Sequence, residues 1–215
     1  MLLYHLLSTE HALSNIALQR IKVSRFRDLN DPFELQAVNV GGRKDFRRRL
    51  REWKEQLNER KGLLCFSQHW KNPVLWSHYA DKHRGMCLGY EIDSKLVQSV
   101  EYVPERVKYA FDERRSIDAD PKLVEILMRT KYVHWEYESE RRAFVDLADH
   151  PQEDRLYFRY LGAGIELKEV VIGSLCDVPF EKVLSLMQSG HAPVKITKSR
   201  LAFKWFEIVK NKSVP

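Results

Sequence analysis

The chain has 215 residues, of which 44% are hydrophobic and 31% are charged, a composition that is ordinary for a globular domain. No apolar run approaches the roughly 20 residues of a membrane span, and the first residues lack the features of a signal peptide. The separated cysteines Cys65, Cys87 and Cys176 indicate buried thiols rather than a disulfide framework or a zinc site. We therefore expect a cytoplasmic protein that makes no membrane contact and carries no metal.

Helical and extended patterns alternate irregularly along the chain. The predicted order is strand 2–6, helix 9–20, strand 21–24, turn 30–33, helix 43–60, strand 62–67, helix 74–83, strand 85–92, strand 107–111, helix 121–131, strand 138–147, surface loop 149–164, strand 167–172, helix 179–187, and strands 194–197 and 203–209. Rossmann and P-loop glycine patterns are absent from the sequence. We predict a single α+β domain over residues 1–215, with a mixed or antiparallel central sheet flanked by helices.

The helix predicted at 43–60 is basic and amphipathic, with apolar residues at helical spacing along one side. Residues 43–61 contain nine Lys or Arg and four acidic residues, which leaves +5 of the net charge of +6 in this segment. Such a surface could attract nucleic acid or a protein partner. The alternative is a solvated helix face whose positive charge is incidental.

Two acidic residues separated by one, Glu138 and Glu140, form the most informative motif of the chain. On a strand they would point to the same face, with Arg142 next on that face. Neighbouring carboxylates repel, so one pKa tends to rise, as it does at sites of acid/base catalysis or cation binding. The alternative is a solvated strand edge on which acidic and basic side chains alternate.

Three other groups could contribute to a site. Tyr4 and His5 lie on the opening strand, and the turn at 30–34 either closes over a pocket or is simply rigid. Trp76 and Tyr79 lie three residues apart on a predicted helix, where they could stack on a planar ring or fill the core.

These segments resemble a bacterial family described as domain of unknown function 2971. The shared features are an opening Leu-Tyr, an Asn-Asp-Pro-Phe-Glu turn, a Cys-Phe-Ser strand, a Trp-Ser-His-Tyr-Ala-Asp helix, a Gly-x-Cys-Leu-Gly strand and a Lys-x3-Trp-x2-Glu-x-Glu-x-Arg segment. They fall here at residues 3–4, 30–34, 65–67, 76–81, 85–89 and 131–142. The resemblance spans roughly residues 2–175 and implies a family without an established activity.

A more distant resemblance is to ADP-ribosyltransferases, which carry a His or Arg on the first strand, a Ser or Tyr motif on a middle strand and a late Glu-x-Glu. It implies that His5 holds the adenosine ribose of NAD, and that Ser67 supports the nicotinamide-ribose pocket. Tyr79 or Trp76 would stack on the nicotinamide.

The same resemblance implies that Glu140 stabilises the cationic sugar and that Glu138 orients the acceptor. Tyr4 and Arg142 are predicted to bind NAD together with these residues. Cys-Phe-Ser stands where that family has Ser-Thr-Ser. The function implied is NAD consumption, of the kind found in toxins or phage-defence effectors.

Two other functions remain open at this point. A metal-dependent nuclease could use Glu138 and Glu140 with Arg141, plus Asp31, to hold Mg²⁺ beside a phosphate, with the basic helix attracting nucleic acid. A non-enzymatic binding module would instead bury the Glu140–Arg142 pair without an adjoining cleft, and its basic helix would dock a partner.

Overall fold

A computed structural model describes residues 1–112, 114–187 and 193–212 of the chain. The elements, in chain order, are β1 (Leu2–Leu7), α1 (Thr9–Ala17), β2 (Arg20–Val23), α2 (Lys44–Arg60), β3 (Lys61–Ser67), α3 (Pro73–Tyr79), β4 (Met86–Ile92), β5 (Gln98–Ser99), β6 (Glu101–Val103), α4 (Pro121–Arg129), β7 (Thr130–Tyr132), β8 (Glu140–Asp146), β9 (Gln152–Glu153), β10 (Leu156–Tyr160), β11 (Ile165–Ile172), α5 (Phe180–Met187), β12 (Lys195–Leu201) and β13 (Ile208–Lys210). The α+β class and the mixed central sheet are therefore as predicted. Among the described residues, no helix has the length and apolar character needed to cross a membrane.

The central sheet has eight strands in the order β13-β12-β11-β4-β1-β3-β8-β5. All its described pairings are antiparallel except β11 with β12, which is parallel. Within the described residues, β1 pairs with β4 from Leu2 to Leu7 but with β3 only at Tyr4 and Ser67. The two halves of the sheet therefore separate on one side of this single pairing, and a space opens between β1 and β3.

Both faces of the sheet are covered because apolar side chains alternate along its strands. On one face, residues such as Leu64 and Leu88 pack with the apolar sides of α1 and α5. On the other face, Leu63 packs against α2 and α4, and Cys87 packs against α3. The apolar stripe predicted for α2 lies in this second core, where Phe46, Leu50, Trp53 and Leu57 are buried. The three cysteines are free thiols, two of them buried and Cys65 half-buried.

Helix α3 is short because both of its ends are specified by sequence. The Asn72 side chain caps its start by accepting from the Val74 amide, and Pro73 occupies the first turn. The backbone of residues 81–83 then has positive φ, and the Gly85 amide returns to the Ala80 carbonyl at 2.8 Å. The helix therefore ends at Tyr79, whereas the sequence predicted an end at 83, and Tyr79 lies in its last turn.

Three sequence predictions of local structure are wrong. Residues 107–111 form no strand in the described structure, and only Val107 makes an isolated bridge, to Val38. Residues 149–164 contain β9 and β10, because β10 pairs with β2 in a small separate sheet. Residues 203–206 lie in the loop between β12 and β13 rather than in a strand.

The fourth correction concerns the acidic motif, which does not lie wholly on a strand. Glu138 ends a 3₁₀ helix that begins at Val133, and Ser139 adopts a left-handed conformation before β8 starts at Glu140. The two carboxylates are therefore brought together by a turn and not by strand alternation.

Candidate active site

A cavity of about 330 Å³ lies where β1 and β3 separate, next to the start of β8 and the end of α3. Its volume is within the range of small-molecule pockets. Seven of the eight predicted site residues line it: Tyr4, His5, Ser67, Tyr79, Glu138, Glu140 and Arg142. The structure therefore brings together residues that are far apart in sequence, and the three strands that carry the motifs are neighbours in the sheet.

Trp76 is the predicted site residue that does not line this cavity. Its side chain is fully buried in the core around α3, and its Nε1 donates to the Trp70 carbonyl at 2.5 Å. Of the two interpretations of the aromatic pair at 76 and 79, Trp76 fits the core role. Tyr79 is the member that reaches the cavity.

A buried ionic network forms the floor of the cavity. Arg142 donates through Nε to Glu140 Oε1 at 2.9 Å and through Nη1 to Glu34 Oε2 at 3.0 Å, and its Nη1 also donates to the Met128 carbonyl. Lys131 Nζ lies 2.6 Å from Glu138 Oε2 and 3.2 Å from Glu140 Oε2. Three carboxylates therefore share two cations, and the network has one more negative than positive charge when all five groups are ionised.

The two carboxylates of the motif have pKa values that are shifted in opposite directions. Burial would raise the pKa of Glu140, but Arg142 and Lys131 lower it to about 2. Burial raises the pKa of Glu138 above its ordinary value, and Lys131 only partly offsets this. Glu140 is thus held as an anion, whereas Glu138 can exchange a proton more readily, which is the usual division of roles in a catalytic carboxylate pair.

Tyr79 connects the end of helix α3 to this carboxylate pair through its hydroxyl group. Its hydroxyl donates to Glu138 Oε1 and accepts from Asn30 Nδ2 at 2.9 Å. Burial and the neighbouring Glu138 charge raise the pKa of Tyr79, so its hydroxyl stays protonated. Asn30 belongs to the turn at 30–34, and both Asn30 and Glu34 of this turn line the cavity.

His5 presents one ring nitrogen as a hydrogen-bond acceptor. Its Nδ1 lies 2.8 Å from the Cys65 carbonyl, and because a carbonyl only accepts, Nδ1 carries the proton and Nε2 does not. Burial lowers the pKa of His5, so the neutral form persists. A neutral histidine with an available Nε2 can accept from a ligand hydroxyl or take up a proton.

Ser67 acts on the backbone of the motif. Its hydroxyl donates to the Glu138 carbonyl at 2.7 Å and accepts from the His69 amide at 3.3 Å. The Ser139 carbonyl accepts from the Gln68 amide at 3.2 Å, so the end of β3 and the turn at Ser139 are held together. Ser67 thus fixes the turn that positions Glu138.

The set of predicted site residues omitted two members of the network, Glu34 and Lys131. Both are buried, and Glu34 is the second carboxylate partner of Arg142 although 108 residues separate them. Lys131 belongs to the same motif as the two glutamates, so its spacing was a usable signal. Nothing in the local sequence around Glu34 identifies its partner.

The carboxylates are not arranged as a metal site. Lys131 Nζ occupies the position between Glu138 and Glu140, and Asp31 Oδ1 accepts from the Phe33 amide at 2.8 Å. In the part of the chain that the structure describes, no three His, Cys, Asp or Glu side chains are grouped so that they could hold a metal ion. The charge of the pair is balanced by an ammonium group instead.

The basic helix α2 uses much of its positive charge within the molecule. Lys54 Nζ donates to the Glu34 carbonyl at 2.8 Å, and Arg60 and Arg48 pair with Asp118 and Asp45. Lys44, Arg47 and Arg51 are exposed on the helix surface. The segment therefore remains a candidate for a nucleic-acid or protein contact through its exposed side chains.

One family model matches part of the chain. A family model described as a protein of unknown function (DUF2971) matches residues 75–143, the middle third of the chain. The match includes the motifs at 76–81, 85–89 and 131–142, whereas the three motifs before residue 75 lie outside it. Searches among curated proteins and solved structures gave no match.

Proposed function

We propose that the chain is an NAD-consuming enzyme that resembles ADP-ribosyltransferases, with its active site in the cavity between β1 and β3. The observation that carries the proposal is the adjacency of β1, β3 and β8, which brings His5, Ser67 and the Glu138–Glu140 motif to one cavity. This is the set of positions at which the resemblance implies NAD-binding and catalytic residues.

The charge of the cavity suits the reaction. Breaking the bond between nicotinamide and C1′ of the ribose sends the bonding electrons to nicotinamide and leaves a cationic sugar, which water or an acceptor then captures. The carboxylate of Glu140, whose pKa is about 2, supplies a fixed negative charge that stabilises this cation. The surplus negative charge of the network also favours the cationic ring of NAD.

The remaining residues have compatible roles. Glu138, with its raised pKa, orients the acceptor and accepts its proton. His5 Nε2 is available to accept from a ribose hydroxyl, and the Tyr79 ring at the cavity wall can stack on the nicotinamide. Ser67 supports the pocket through the backbone of Glu138.

The test is nicotinamide release from NAD by the purified protein and by Glu140→Gln. We expect Glu140→Gln to lower release by about 100-fold or more, because the fixed charge is lost. Glu136→Gln, a change of the same kind at an exposed neighbour, should retain full release. Absence of release and of NAD binding by the wild-type protein would refute the proposal.

Glu140 also supports the ionic network, so melting temperatures must accompany the assay. If Glu140→Gln does not fold, Glu138→Gln is the second variant, because the glutamine oxygen can accept from Lys131 while its amide group donates to the Tyr79 hydroxyl, and the two remaining carboxylates still match the two cations. Its release should fall by about 100-fold with little change in melting temperature. Wild-type release by a folded Glu138→Gln protein would then count against this site.

A non-enzymatic binding module is less well supported. That hypothesis required a buried Glu140–Arg142 pair without an adjoining cleft, and the pair is buried but borders the cavity. The nuclease hypothesis is weakened by Lys131, which neutralises the carboxylates that would bind Mg²⁺.

A further inference from the structure

The loop between β12 and β13 carries a cluster of exposed aromatic side chains. Phe203, Trp205 and Phe206 are 91%, 73% and 97% exposed, and Leu201 at the base of the loop is 57% exposed. Single exposed apolar residues are ordinary, but a contiguous group of this size marks an interaction surface. We call residues 201–207 the aromatic tip.

The aromatic tip is held in place by the hairpin beneath it. The Ala202 amide donates to the Glu207 carbonyl at 2.9 Å, and Leu201 pairs with Ile208 across the two strands. Ile208 is fully buried in the core around α3, and its amide donates to the Lys71 carbonyl at 2.8 Å. The aromatic side chains are therefore exposed on a hairpin whose backbone is fixed by contacts with the rest of the fold.

Positive charge lies beside the aromatic tip. Residues 195–212 contain six Lys or Arg and one Glu, of which Lys198 bonds to the Gly173 and Cys176 carbonyls and Lys210 pairs with Glu169. Lys204 lies within the tip and is exposed, and the Arg200 guanidinium stacks on the Phe203 ring at 4.6 Å. Lys71 is exposed in the neighbouring loop, and its carbonyl accepts from the Ile208 amide at the base of the tip. An anionic partner is therefore favoured.

The shape of the tip indicates which anionic partner it fits. Phe203 and Phe206 are almost completely exposed, so the rings project from a convex tip and do not form a flat platform or the wall of a groove. Single-stranded nucleic acid is bound by aromatic platforms within basic grooves. Convex tips that combine Trp, Phe and Lys suit the interface of an anionic bilayer, where the rings enter the acyl boundary and the cations meet lipid phosphates.

We propose that the aromatic tip inserts into the surface of an anionic membrane, with Phe203, Trp205 and Phe206 in the interface and Lys204, Arg200 and Lys71 at the lipid phosphates. Insertion of this kind needs no membrane-spanning segment. It departs from the expectation, drawn from the absence of such a segment, that the protein makes no membrane contact.

The test is sedimentation of the full chain with vesicles that contain phosphatidylglycerol and phosphatidylcholine, or phosphatidylcholine alone. We expect binding to the anionic vesicles with a blue shift of the tryptophan emission that Trp205→Ala removes, and at least about tenfold weaker binding for Trp205→Ala and for Lys204→Glu. Arg47→Glu on α2 makes the same charge change elsewhere and should leave binding unchanged. Unaltered melting temperatures show that the variants are folded.

Three results would overturn the proposal. The first is equal binding by the wild-type protein and the two tip variants. The second is release of the protein from vesicles by single-stranded DNA, together with DNA binding that Trp205→Ala abolishes, which would assign the tip to nucleic acid. The third is a dimer in solution that Trp205→Ala converts to a monomer, which would assign the tip to a second copy of the chain.

Discussion

At the scale of single residues, the stability and the chemistry of the site depend on the same buried charges. Glu34, Lys131, Glu138, Glu140 and Arg142 are all at most 6% exposed. Removal of water from these groups is unfavourable, and contacts with Arg142 and Lys131 offset that cost for the carboxylates. A change that deletes either cation therefore leaves buried carboxylates without their counterion.

Arg142→Met tests this dependence. The change leaves Glu34 and Glu140 without their shared guanidinium, so we expect a loss of about 3–5 kcal/mol in the free energy of unfolding, measured by urea denaturation. Arg51→Met, at an exposed position of α2, should alter stability by less than about 0.5 kcal/mol. Similar free energies of unfolding for the two variants would mean that the ionic network contributes little to stability.

His5 predicts a specific pH dependence of stability. Burial lowers the pKa of His5 in the folded state below its ordinary value of 6.5. Below pH 6.5 the imidazole of the unfolded chain is therefore protonated more readily than that of the folded chain. Stability contributed by neutral His5 is thus complete above that pH and falls as the pH drops below it. We expect the loss of urea stability between about pH 7.5 and 5.5 to be smaller in His5→Gln than in the wild-type protein. Parallel pH profiles would contradict this.

At the scale of elements, sequence patterns predicted the strongly patterned segments and failed where tertiary contacts decide. Strand β3 and helix α2 follow from apolar runs and helical spacing. By contrast, β10 is a five-residue segment inside a stretch that is polar and glycine-containing as a whole, and it is recognised as a strand by its pairing with β2. At the turn, Ser139 adopts the left-handed conformation although it is not glycine. Hydrogen bonds from the Gln68 amide and the Ser67 hydroxyl to the backbone of this turn hold it in that conformation.

Gly85 at the start of β4 shows how closely these elements approach. A Cβ at this position would lie 2.0 Å from the Leu7 carbonyl oxygen and 3.0 Å from the Ala80 backbone. Both contacts are to backbone, so we expect Gly85→Ala to lower the free energy of unfolding by at least about 1–3 kcal/mol in urea. Gly42→Ala, where no atom lies within 4 Å, is the control. Equal free energies of unfolding for Gly85→Ala and the wild-type protein would show that the backbones of β1 and of the segment after α3 move apart at little energetic cost.

At the scale of the whole molecule, the candidate site is assembled by sheet topology. The sequence identified seven of the residues that line the cavity, because their types and order carry the resemblance. Their proximity depends on β3 lying between β1 and β8, and the role of Glu34 depends on a contact across 108 residues. Neither strand order nor such a long-range pairing is encoded in local patterns.

The single pairing of Tyr4 with Ser67 has a mechanical consequence. Strands β1 and β3 separate beyond it, so no ladder of backbone hydrogen bonds sets the width of the cavity between them. The core that Leu64 of β3 and Leu88 of β4 share holds the two halves of the sheet together instead. The width of the cavity therefore depends on side-chain packing rather than on strand register.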